Sequence, residues 1–147
     1  MKSIKTQIRD EIINLLSEVT PDNDNRYDLS NIHLINKEER IPPLPSTILI
    51  PDIINIDEEY GSFDASTLTY GIIHIENICD SNPFEYYEDV DSEISQKLNE
   101  NYSLGDLITD LYVSELFISE IDGLGWCAQC IINCKTLQCK FNPFEKP

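Results

Sequence analysis

Leu104-Gly105-Asp106-Leu107-Ile108-Thr109-Asp110-Leu111, then Tyr112 to Ser119, then Asp122-Gly123-Leu124-Gly125, then Trp126 to Cys139, is the stretch that decides the fold. The first eight residues predict a helical turn or short helix. Tyr112 to Ser119 predicts a strand. Asp-Gly between two apolar alternating runs predicts a hairpin, because tight hairpin turns need residues that tolerate positive φ. In the last run Trp126, Ala128, Cys130, Ile132, Cys134 and Thr136 share one face, while Cys127, Gln129, Asn133 and Lys135 share the other; Ile131 and Leu137 are exceptions on the second face. Alternation of this kind is the signature of a strand buried on one side.

Outward from this hairpin, Ile4, Ile8, Ile12, Leu15, Leu16 and Val19 recur at helical spacing. Ser3 is placed to cap that run and Pro21 to end it, which predicts a helix over 3–19. Val90, Ile94 and Leu98 form the stripe of a second helix over 84–99. Leu29 to Ile35 predicts a short strand. Ile41-Pro42-Pro43-Leu44-Pro45 excludes helix and leads into a strand at Thr47–Ile50. Pro51 cannot donate to a ladder, so that strand ends there or lies at an edge, with Ile53, Ile54 and Ile56 extending it after a bulge. Asp57-Glu58-Glu59-Tyr60-Gly61-Ser62-Phe63-Asp64 predicts an acidic connection, longer than a tight turn. Leu68 to Ile78 predicts a central strand, apolar on both faces, and Cys79 to Pro83 a turn.

The order helix, three strands, helix, two strands predicts an α+β domain over 1–140. It would be two-layered, with a mixed or antiparallel sheet of about five strands and two amphipathic helices packed on it. Residues 141–147, with two prolines, read as a tail.

The chain has 147 residues and a formal net charge of −17, from 27 acidic and 10 basic residues. Such a surface repels phosphate, which disfavours gripping nucleic acid and suits a surface that DNA slides past. Acidity also serves solubility alone. No apolar run is long enough for a transmembrane helix, and the amphipathic start predicts no signal peptide. Cys79, Cys127, Cys130, Cys134 and Cys139 are then expected as free thiols in a reducing compartment.

Cys127-x2-Cys130-x3-Cys134-x4-Cys139 invites a zinc reading, which needs ligands about 2.3 Å from one point. On a strand Cys127 and Cys130 point to opposite faces, and Cys130 lies roughly 13 Å from Cys134 at about 3.3 Å per residue. Buried thiols therefore fit better, and neither metal nor cofactor is expected. His33 and His74 fall in different strands; a Cys79–His74 pair stays open, with nothing to orient it. No phosphate-binding glycine loop and no hydrolase or zinc-protease motif occurs. Asn82-Pro83-Phe84-Glu85 recurs as Asn142-Pro143-Phe144-Glu145, which marks turns or helix starts before it marks a docking motif.

The order of elements and three pieces resemble the tail terminator proteins of tailed phages and the related neck proteins at the head–tail junction. These pieces are Ile4-Lys5-Thr6-Gln7-Ile8-Arg9-Asp10-Glu11-Ile12-Ile13, Pro43-Leu44-Pro45-Ser46-Thr47-Ile48-Leu49-Ile50, and Leu104 to Leu111 with the turn and strand that follow. The resemblance implies a structural virion protein, not an enzyme. It implies a ring, commonly of six copies, between tail tube and head connector, with DNA passing through the lumen unbound and no membrane involved. It carries over no catalytic residues. Asp57, Glu58, Glu59, Tyr60 and Phe63 are the residues placed at the interface between subunits. Two other classes compete: an acidic interaction or inhibitor protein that occupies a basic partner, and a small cysteine- or metal-dependent enzyme.

Overall fold

The computed structural model describes residues 2–21, 28–34, 45–76, 83–121 and 125–139. The expected tail at 141–147, the Asp-Gly turn at 122–124, Cys79 and the polar stretches 22–27 and 35–44 lie outside them. In chain order the elements are α1 (Ile4–Ser17), β1 (Ile32–Leu34), β2 (Ser46–Tyr60), β3 (Phe63–Glu76), α2 (Pro83–Asn99), β4 (Asp110–Ile121) and β5 (Gly125–Cys139). Over the described residues the fold is α+β, with two helices and a mixed sheet in the order β1-β2-β3-β5-β4. β1 pairs with β2 in parallel and every other pair is antiparallel.

Irregularities divide β2 between Pro51 and Ile54 and again between Ile56 and Glu58, and divide β4 between Ser114 and Phe117. Counted as uninterrupted segments the sheet therefore has 8 strands, more than the five or so expected. The cause is visible at Pro51, which is in register with Tyr70 but breaks the ladder just beyond it. β2 does not end there. It continues past β1, which covers only Thr47, Ile48 and Leu49.

Both helices bury their apolar stripes in one cluster with a single face of the sheet. Ile4, Ile8, Ile12, Leu15 and Leu16 are the buried side of α1, as their spacing predicts, and the Ser3 hydroxyl accepts a hydrogen bond from the Thr6 amide at 3.2 Å. Pro83 opens α2, where a missing N–H costs nothing. Lys97 near its end reaches Glu18 beyond α1 at 2.7 Å. From the sheet, Ile72 with Cys130, Tyr70 with Ile132 and Leu68 with Cys134 are register pairs, and all six are buried. Ala128, Cys130, Ile132, Cys134 and Thr136 all fall on this face of β5 and are all buried.

The segment Leu104–Leu111 is not a helix. Residues 100–107 form turns, and β4 begins at Asp110. Leu104, Gly105 and Asp106 have φ of 46°, 67° and 66°. Three successive left-handed residues cannot start a right-handed helix. Gly105 adopts this conformation without a Cβ penalty, and Leu104 adopts it while sinking into the core at 1% exposure.

Candidate interaction surface and a closed polar core

The acidic segment 57–64 is not an extended loop. Glu58 pairs with Ala65, Glu59 with Asp64 and Tyr60 with Phe63, so β2 and β3 run to the tip of a hairpin closed by Gly61 and Ser62. Gly61 takes the positive φ, 43°, at the first turn position. Asp and Glu are poor strand formers, which makes the run read as a connection; pairing with β3, which is itself paired to β5 as far as Cys139, overrides that tendency. The 15 residues of β2 span roughly 45–50 Å at about 3.3 Å per residue. The longer helix, α2, spans about 26 Å at about 1.5 Å per residue. The hairpin tip therefore forms an arm whose residues are mostly exposed: Ile56 at 55%, Tyr60 at 45%, and Asp57 and Glu59 as well. No lysine or arginine occurs between Pro51 and Glu76. The arm is thus uniformly acidic, with Asp57 held by the Thr67 hydroxyl at 2.6 Å. Register shifts fall in β2 between Pro51 and Ile54 and between Ile56 and Glu58, and bulges of this kind bend a strand and increase its local twist.

A second constellation lies in the core. The Thr47 hydroxyl meets His74 Nδ1 at 2.9 Å, His74 Nε2 meets Glu76 Oε2 at 3.2 Å, and the Tyr86 hydroxyl donates to the same carboxylate oxygen. An ionised Glu76 only accepts, so the Nε2–H tautomer satisfies the chain: Thr47 donates to Nδ1 and Nε2–H donates to Glu76. Tyr87 packs edge-on to the imidazole with ring centroids 6.3 Å apart. Hydroxyl, imidazole and carboxylate in this order resemble a nucleophile and its base. Yet Thr47 is 0% and His74 1% exposed. The adjoining cavity, lined by His74, Asp91, Ile94 and Cys130 among others, holds about 10 Å³, space for one water and for no substrate. As folded, the network ties β2, β3 and α2 together. Thr47→Val should leave Nδ1 buried and unpaired and cost about 1–3 kcal/mol, read as a lower urea midpoint with unchanged far-ultraviolet dichroism. An unchanged midpoint would mean that the hydroxyl contributes nothing.

The cysteines divide by face. Cys130 and Cys134 lie on the helix side and Cys127 on the other, where its sulfur meets the Ser119 hydroxyl at 3.2 Å. Burial pushes the Cys134 thiol up to about 12, and burial followed by the nearby Asp91 carboxylate does the same for Cys130. Both therefore stay protonated and weakly nucleophilic near neutrality. Asp91 is itself raised by burial. Thiols whose folded value stands above the ordinary 9.0 stabilise the fold fully below pH 9, and that contribution is lost as pH rises towards 12. Urea midpoints should fall from pH 8 to pH 10; a flat profile would contradict the burial of both groups. Among the described residues no three His, Cys, Asp or Glu side chains gather as a metal site. Cys79, the proposed partner of His74, lies outside them, and His33 is exposed beside Asn31.

Asp57, Glu58, Glu59, Tyr60 and Phe63, the residues expected at an interface, are brought together on the arm; the grouping of His74, Glu76, Thr47 and Tyr86 is not visible in the sequence. His74 and Glu76 do share a face at spacing two, but Thr47 lies 27 residues away in sequence from its partner. Among the described residues no helix is long and apolar enough to cross a membrane. No protein-family profile and no curated protein sequence matches the chain. The class that fold and surface define is an α+β protein with a closed polar core and an acidic β-hairpin arm.

Proposed function

We propose that the chain is a structural virion protein of a tailed phage, similar to tail terminator or neck proteins, acting through contacts with its own copies. The observation that carries this reading is the arm: a paired, acidic hairpin with exposed Ile56 and Tyr60. An isolated domain gains little by exposing apolar groups at the end of a long hairpin, whereas a neighbouring subunit can bury them. Copies joined arm to body form a heterologous contact, which generates a ring when its rotation closes. In this reading six copies close at the junction of tail tube and head connector, in virions assembled in the host cytoplasm. The net charge of −17 supports a lumen that DNA crosses without being held. No cofactor has a part in this function.

Purified chain should scatter light as a discrete particle of about six copies, either alone or after mixing with tail tubes, and electron micrographs should show it at one tube end. A chain that stays monomeric in both conditions overturns the reading. The acidity of the arm favours one rival: a carboxylate-rich strand that occupies a basic partner. That protein would act as a monomer, and its binding would weaken steeply with salt.

A further inference from the structure

β2, β3, β5 and β4 present a second face, turned away from both helices. Register places Ile48, Ile73, Gln129 and Phe117 in one row across it, Ile50, Gly71 and Ile131 in the next, and Thr69, Asn133 and Tyr112 in a third. The four isoleucines are half-buried, while Tyr112 and Phe117 are 44% and 52% exposed. The patch is bounded: Ile75 and Cys127, in the row beyond Ile73, are already buried, and charge returns with Lys135 and Asp110 beyond Thr69. Between these bounds no described side chain is charged, in a protein with 37 Asp, Glu, Lys and Arg residues out of 147. Depletion of charge around exposed aromatics is the composition of an interface centre.

We propose that this face pairs with the same face of a second copy. Charge decides the occupant. A basic partner would be drawn to the carboxylates of the arm and gains nothing on a neutral patch. For two copies that each carry −17, the approach that brings the fewest described carboxylates together is through the surface on which no described side chain is charged. Two such faces stack as sheet on sheet, about 10 Å apart, with the isoleucines interdigitating. Each copy offers the same patch, so the contact is isologous and stops at two. It uses a different surface from the arm and stands independently of the ring.

The test is sedimentation equilibrium of the full chain in the Tyr60→Ala/Phe63→Ala background, where arm contacts are weakened. Pairs are expected, and they should tighten as salt screens the mutual repulsion. Phe117→Glu, and separately Tyr112→Glu, should each raise the dissociation constant at least about tenfold with dichroism unchanged; both positions are exposed, so folding tolerates the change. A monomer at all concentrations, pairs that loosen with salt, or pairs indifferent to both substitutions would each overturn the proposal. Rings that persist in this background, with pairs intact, would count against the arm and leave this face standing.

Discussion

Ile8→Ala lowers the free energy of unfolding by about 2–5 kcal/mol, the range for deleting a fully buried aliphatic side chain. Ile8 is 0% exposed and sits between Ile4 and Ile12 on the buried stripe of α1. The same cluster holds Tyr70, Ile72 and Ile132 from the sheet and Val90 and Ile94 from α2. Truncation therefore leaves a cavity where three elements meet, and none of them can close it without leaving the others. Urea denaturation followed by dichroism measures the loss. Glu11→Ala, a change off the stripe, should stay within about 0.5 kcal/mol. A loss below about 0.5 kcal/mol for Ile8→Ala itself would mean that this side of α1 is not buried.

How much of this was legible follows from sequence distance. The stripe of α1, its Ser3 cap and the alternation from Ala128 to Thr136 are local periodicities, and the structure places each where its period predicts. The central position of β3, between β2 and β5, was legible because Tyr70, Ile72, Ile73 and Ile75 are apolar on both faces. Three features were not. The segment 57–64 reads as a connection because strand formation there rests on partners, not on propensity. Leu104 to Leu111 has helical composition, but left-handed backbone at Leu104, Gly105 and Asp106 is a tertiary choice, made when Leu104 enters the core. The Thr47–His74–Glu76–Tyr86 network joins three elements, and nothing local to His74 announces a hydroxyl on a neighbouring strand. The acidic and aromatic residues of the arm stand out in the sequence, while its hairpin geometry does not.

That geometry sharpens the last expected result. Tyr60→Ala with Phe63→Ala should leave the subunit folded and abolish closed rings. Tyr60 and Phe63 are register partners next to the Gly61–Ser62 turn, and the register places Tyr60 on the face turned away from the helices. Tyr60 is 45% exposed and contributes nothing to the shared core cluster, so its truncation should alter the dichroism and the urea midpoint little. In a ring the aromatic would become buried against the next copy, and truncating an anchor at the centre of such a contact costs about 2 kcal/mol or more. Because a ring repeats each contact, that loss recurs at every interface, and closure should fail even where a single contact survives. Gly61→Val provides the geometric control: nothing crowds a Cβ there, but the positive φ resists one, so the tip should distort with both aromatics retained. Light scattering should report loss of rings in both variants. Rings that survive the double substitution would remove the arm from the interface, and an unfolded double variant would show that the tip is held by its own sheet instead of serving a neighbour.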